Sequence, residues 1–170
     1  NKGVPGAVSA LSHSFPFNDV EALERLLFEY RNEFACVIME PMNAVHPIDG
    51  YLDDVLTITH KNGALLVFDE IITGFRFAIG GAQELFGITP DITCLGKGMA
   101  NGYPLSAVVG RADVMREMED VFFSFTAGGE AVSLAAAKAT IEKILREPVI
   151  ETLWKQGEKI QKGVHDQVQE

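Results

Sequence analysis

The chain is short of positive charge, of cysteine and of long apolar runs, and each shortage excludes something. Fourteen lysines and arginines face 24 aspartates and glutamates, a formal net charge of −10. Nucleic acid and anionic membrane surfaces are bound by basic protein surfaces, so neither suits this chain as a partner. No apolar run approaches the roughly 20 residues that cross a bilayer, and no signal peptide opens the sequence. The first residue is Asn1 rather than Met, which reads as an internal piece of a longer protein. Cysteine occurs only at Cys36 and Cys94, each inside an apolar, strand-like run. Two such thiols fit buried positions in a reducing, cytoplasmic setting and offer no disulfide framework. His13, His46, His60 and His165 show neither metal-ligand spacing nor a Ser-His-Asp arrangement. There is no internal repeat and no low-complexity tract.

What is present is enough for one globular domain: 170 residues, 47% of them hydrophobic. The opening, residues 1–18, has no period and reads as an ordered loop. Val20, Leu23, Leu26, Leu27 and Tyr30 recur at helical spacing, with Asn18 and Asp19 as cap candidates. A short buried strand over residues 34–39 stops at Glu40-Pro41. A helix over 51–61 ends at Asn62-Gly63. Further strands are predicted over 64–68, 91–95 and 106–109, and short helices over 81–86 and 112–118. A long alanine-rich helix over 128–146 precedes Pro148, and a more polar helix anchored by Trp154 runs over 149–170. Met99, Met115 and Met118 read as packing residues. Strands separated by helices mean βαβ units and an α/β fold with a mainly parallel sheet flanked by helices.

Two strands end in charge. Ala64-Leu65-Leu66-Val67-Phe68 runs into Asp69-Glu70, and Asp91-Ile92-Thr93-Cys94-Leu95 runs into Gly96-Lys97-Gly98. Ligands of open α/β sheets bind beyond the carboxyl ends of the strands. Neighbouring strands lie about 4.8 Å apart, so a carboxylate and an amine at such ends can grip two sides of one flat ring. An ordinary loop lysine and a solvated strand-end aspartate are the plain alternatives. A sharper rival is the Walker B pattern, an apolar run followed by Asp-Glu, as in an ATPase core. Its companion phosphate loop is absent, because Asp91 stands where the first glycine belongs and Gly98 where Ser or Thr is required. Thr126-Ala127-Gly128-Gly129 stands at the predicted start of the long helix. A hydroxyl and free N–H groups there can hold a phosphate, although a helix cap is the commoner use of such a threonine.

The stretches Leu66–Arg76, Gly80–Gln83 and Pro90–Lys97, with Pro16–Asp19 and Glu40-Pro41, resemble the class III pyridoxal-phosphate-dependent aminotransferases, closest to their glutamate-1-semialdehyde aminomutase branch. The resemblance spans nearly the whole chain. It implies the central part of the large domain of the fold type I PLP-dependent transferases over residues 1–148, with 149–170 as the helix leading into a C-terminal small domain that the chain does not contain. It implies pyridoxal 5'-phosphate as cofactor, a small-molecule amino donor and carbonyl acceptor as substrates, and a homodimer with shared active sites. Under it Lys97 carries the cofactor as a Schiff base, Asp69 pairs with the ring nitrogen and Ile71 packs on the ring. Thr126 binds the phosphate of the cofactor held by the partner subunit. Phe122, Phe123 and Phe125 beside it would be buried at that interface, or else in their own subunit's core.

The chain departs from the family in places. Ile72 replaces a Gln common in that position, Val45 replaces a Glu found in the ornithine and gamma-aminobutyrate type, and the segments around Phe122–Phe125 and Glu130-Ala131 differ from the aminomutases. Other chemistry on the same scaffold, racemisation or decarboxylation, stays open at this point. So does a role confined to folding or dimer contacts.

Overall fold

The computed structural model describes residues 2–122, 124 and 126–169. Asn1, Phe123, Phe125 and Glu170, each part of an expectation above, lie outside the described residues.

The described chain contains α1 (Gly6–Ser9), α2 (Val20–Glu29), β1 (Cys36–Met39), α3 (Tyr51–Lys61), β2 (Leu65–Asp69), α4 (Ala82–Phe86), β3 (Ile92–Leu95), β4 (Ala107–Gly110), α5 (Ala112–Met115), α6 (Ala131–Arg146) and α7 (Val149–Gln169). Short 3₁₀ turns cover Lys97–Met99 and Arg116–Glu119. The four strands form one sheet in the order β1-β2-β3-β4. β1, β2 and β3 are parallel, and β4 returns antiparallel to β3. The expected mainly parallel sheet is therefore present, with one antiparallel strand at its edge.

Local chemistry explains most boundaries. Asp19 Oδ1 accepts from Ala22 N at 2.8 Å and starts α2, whose Leu23 and Leu27 are buried. α3 buries Tyr51, Leu52, Val55 and Thr59, carries Asp53 and Asp54 in its first turn and His60 and Lys61 in its last, and stops before Gly63 at φ +73°. The parallel strands advance in one direction across the sheet, so right-handed crossovers put α3 and α4 on the same face. Leu23, Leu27, Val37, Tyr51, Leu52, Val55, Leu66, Phe68 and Ile88 form the main core there, with Phe86 packed against it. A smaller cluster joins Met99 and Ala100 to Ala137 of α6.

Several expectations need correction. Residues 1–18 contain a single helical turn, α1. The segment 112–118 divides into α5 and a 3₁₀ turn. The long helix begins at Ala131, not at residue 128, because the Glu130 carboxylate accepts from Val132 N and Ser133 N, both at 2.7 Å, and caps it there. Residues 126–129 form a turn before it. Cys36 is exposed and Cys94 half-buried, so the thiols are not a buried pair. β1 is an edge strand here, and Ile38 beside Cys36 is 60% exposed. Among the described residues no helix is long and apolar enough to cross a membrane, and no cluster of His, Cys, Asp and Glu is able to hold a metal.

The amino end of β3 is held by a charged clamp. Asp91 is 2% exposed. Its carboxylate accepts from Leu66 N at 2.7 Å, Arg111 Nη1 at 2.6 Å and His60 Nε2 at 2.8 Å. Burial pushes this carboxyl up, but the bonds from Leu66, His60 and Arg111 outweigh it and hold it below its usual 3.8. A folded-state value below the unfolded one contributes stability at neutral pH that is lost as pH falls below about 4. Asp91→Asn should cost about 2 kcal/mol at pH 7, as read by urea unfolding. It should also flatten the fall in stability between pH 5 and pH 3. A variant with the unchanged acid slope would remove Asp91 from that role.

Candidate active site

β2 and β3 are hydrogen-bonded neighbours, and Asp69 lies in register with Cys94. Asp69 is the last residue of β2, and Lys97 lies just past the end of β3. The two charged strand ends therefore lie side by side at the carboxyl edge of the sheet, where open α/β sheets form their ligand crevice. Asp69 is half-buried, and its Oδ1 accepts from Ile71 N at 3.0 Å. This bond curls the backbone so that Ile71 follows into the crevice, and the Ile71 side chain lies against Gly96, 3.5 Å from where a β-carbon would stand. Asp69, Ile71 and Lys97 thus lie at or just past the carboxyl ends of two neighbouring parallel strands. Burial and the Asp69 charge push the neighbouring Cys94 thiol up, which keeps it protonated and chemically quiet.

Lys97 is exposed, although an apolar run delivers it. It opens a 3₁₀ turn with φ +35°, a strained value for a residue with a β-carbon. The turn is pinned from below, because Met99 and Ala100 are buried against α6. It is pinned from the side by Gly98, whose missing β-carbon would stand 3.2 Å from Gly74 O and 3.4 Å from Arg76 Nε. The two loops that follow β2 and β3 pack backbone to backbone at that point. Lys97 is left facing a cavity of about 840 Å³, lined also by Ile72, Arg76, Phe77, Leu153 and Trp154. The Trp154 anchor is real: its Nε1 donates to Arg76 O at 2.9 Å, and its ring meets Phe77 at 5.2 Å.

Glu70 does something that the sequence reading did not foresee. It is 0% exposed and points away from the crevice. Thr73 Oγ1 (2.9 Å), Ala82 N (2.5 Å), Gln83 N (3.1 Å) and Gln83 Nε2 (3.0 Å) all donate to its carboxylate. Asp69 and Glu70 are therefore not a carboxylate pair facing one ligand, as the Walker B reading requires. The signal was in the sequence, in Thr73 and in Gly80-Gly81-Ala82-Gln83, but nothing in spacing alone ties these residues to Glu70.

Thr126 sits exposed in the turn before α6 and caps nothing. The helix start behind it already holds an anion, Glu130, whose carboxyl is kept below the usual range by the Ser133 hydroxyl and by Val132 and Ser133 N–H groups. A phosphate at that helix terminus would meet like charge. No hydrogen bond among the described residues ties Thr126 to Asp69, Ile71 or Lys97. Phe122 is 95% exposed, so it does not fill this chain's own core.

The donor set of the crevice suits a flat cationic heteroaromatic ring bearing a carbonyl: a carboxylate for a ring N–H, an isoleucine for the ring face and an amine for the carbonyl. The sequence profile of the class-III aminotransferases matches residues 5–170. The chain belongs to the class III aminotransferase family. It is 40% identical to the glutamate-1-semialdehyde 2,1-aminomutases of Polynucleobacter necessarius (169 residues, 95% of this chain and 39% of the relative) and of Methanothrix thermoacetophila (177 residues, 100% and 41%). Among solved structures, the FumI protein of Sphingopyxis sp. MTA144, in its PLP internal aldimine form, superposes with a TM-score of 0.91 at 28% identity, covering 98% of this chain and 42% of that one. An omega-transaminase from Sphaerobacter thermophilus superposes with a TM-score of 0.79 at 32% identity, covering 85% and 35%. The chain thus spans about two-fifths of the length of the curated relatives it matches.

Gly81 tests the buried carboxylate. It sits at φ +80°, and a β-carbon there would land on Glu70 Oε2. Gly63 has a similar φ of +73° and open space around it. Both Gly81→Ala and Gly63→Ala strain a positive-φ backbone, Gly81 the more because its ψ of −158° lies in the region that is essentially reserved for glycine. Gly81→Ala should cost about 2 kcal/mol or more beyond Gly63→Ala in thermal or urea unfolding, because it adds that strain and displaces a buried charge from its donors. Equal losses would mean that the Glu70 site is not as described.

Proposed function

We infer that the protein is a pyridoxal-phosphate-dependent aminotransferase or aminomutase, moving an amino group between an amino compound and an aldehyde or keto compound. The observation that carries this reading is the meeting of Asp69 and Lys97 at the ends of adjacent parallel strands, with Ile71 beside them. Bound there, pyridoxal phosphate supplies an electron sink for the carbanion formed at a substrate carbon. The chain's residues do the rest. Asp69 accepts the ring N–H and keeps that proton in place through a charge-assisted bond. Ile71 covers one ring face. Lys97 Nζ would hold the cofactor through its carbonyl carbon and, once released from it, would take and return the proton at the substrate carbon as general base and acid.

Identity of 40% with aminomutases, against 28% and 32% with the two solved proteins above, favours the aminomutase branch. Residues 1–148 would form the central part of the large domain, and 149–170 the helix into a small one. Thr126 would serve the cofactor phosphate of a partner subunit, a reading supported by its exposed position away from Lys97 and by the bare Phe122 beside it. A cytoplasmic homodimer acting on small molecules fits the −10 charge.

Two linked measurements test this. Borohydride reduction of the cofactor-loaded protein, followed by peptide mapping, should place the pyridoxyl label on Lys97, and a label on another lysine would sink the assignment. Mixing Lys97→Ala with Thr126→Ala protein should form heterodimers with one doubly defective site and one intact site. Activity should partly return; confirmed subunit exchange without any return would refute the shared site.

A further inference from the structure

We propose that Glu70 is a positioning residue for the Lys97–Asp69 crevice: its buried carboxylate sets the separation and orientation of the two strand ends that grip the cofactor. The proposal rests on the cofactor reading above. Each link is a hydrogen bond in this structure. Glu70 N donates to Cys94 O at 2.9 Å, which extends the β2–β3 ladder one step beyond Asp69. Gly74 N donates to Glu70 O at 2.8 Å and begins the loop that carries Ile71, Ile72 and Arg76 to the crevice. On the side-chain end, Thr73 Oγ1 ties the carboxylate to that same loop. Ala82 N and Gln83 N tie it to the start of α4. Gln83 Nε2 donates both to Glu70 Oε1 at 3.0 Å and to Thr93 Oγ1 at 3.2 Å, so the same amide reaches across to β3, the strand that delivers Lys97.

The chemistry of the four donors demands a carboxylate. Thr73 and Ala82 converge on Oε2 and Gln83 on Oε1, so both oxygens must accept. A glutamine of the same shape would turn an NH₂ toward donors on one side. The α4 start and the 71–74 loop would then have to separate. That shift passes to Asp69, one residue away on the same backbone, and to Lys97 through Gly74, whose carbonyl lies against Gly98. Buried polar networks hold a geometry only while every member is satisfied, and reacting groups displaced by about 1 Å lose function steeply.

The test uses the cofactor-loaded protein and three variants. Glu70→Gln should bind pyridoxal phosphate roughly tenfold or more weakly. It should also move the pH at which the visible absorbance of the bound cofactor titrates. Val55→Ala, which opens a cavity in the core between α2 and α3, supplies a destabilised control and should change neither readout. If Glu70→Gln keeps the parent affinity and titration while losing thermal stability as Val55→Ala does, Glu70 is a structural residue only and the proposal fails. Where Glu70→Gln does not fold, Gln83→Met carries the test. It removes the amide that joins Glu70 to Thr93 and leaves the backbone donors, so the absorbance titration should move away from the parent's, and a parent-like titration overturns the proposal. If the unsubstituted protein takes up no cofactor, the functional reading falls and this proposal with it. If it takes up cofactor and the variants match it, only the Glu70 proposal falls.

Discussion

A carboxylate withdrawn completely from water has to be neutralised by donors, and in this chain the donors for Glu70 come from two separate segments, the loop after β2 and the start of α4. A buried charge left without partners costs several kcal/mol, so the 70–74 loop, the start of α4 and the Gln83 side chain are obliged to meet at one point. Gly81 is required there because a β-carbon would collide with the carboxylate. Gly74 is required because its own β-carbon would stand 2.8 Å from Glu70 O and 2.9 Å from Leu95 Cδ2. The glycines of this region thus mark places where loops approach too closely for any side chain.

The two ends of the sheet have different tasks. The amino end of β3 is closed by Asp91, Arg111 and His60, which tie β3 to β2, β4 and α3. The carboxyl end is open, and its exposed charge faces a cavity. This division is what an open parallel sheet favours, since the crossover helices leave the carboxyl ends of the strands free for a ligand. The main core lies under α2 and α3, away from the crevice, so packing and chemistry load different residues. The strain at Lys97, φ +35°, is held by Met99 and Ala100 anchored on α6. A position that no lysine adopts freely is maintained by packing around it.

Much of this was legible in the sequence, for physical reasons that can be named. α3 is read to the residue, because its apolar period is clear and Asn62-Gly63 ends it. β2 is read because continuous apolar residues mark a strand buried on both faces. Asp69 and Lys97 fall at neighbouring strand ends because each follows an apolar run that the sheet takes up as a strand. What escaped depends on contacts between residues distant in the chain. Glu70 looks like the twin of Asp69 until its partners twelve and thirteen residues away are known. The start of α6 was misplaced because Thr126 and Glu130 are both fair caps, and only the three bonds accepted by Glu130 decide between them. Cys36 was expected inside because its neighbours are apolar, but β1 is an edge strand here with one side open. No local pattern announces a positive φ at a lysine.

The account stands on one geometric claim, that Asp69 and Lys97 hold opposite ends of one ring in the crevice between β2 and β3. A crystal structure of the protein loaded with pyridoxal phosphate tests it most directly. The account predicts continuous density from Lys97 Nζ to the cofactor, with a carboxylate oxygen of Asp69 about 2.7–2.9 Å from the ring nitrogen. A cofactor seated elsewhere, or one whose ring nitrogen lies beyond hydrogen-bond reach of Asp69, would contradict it.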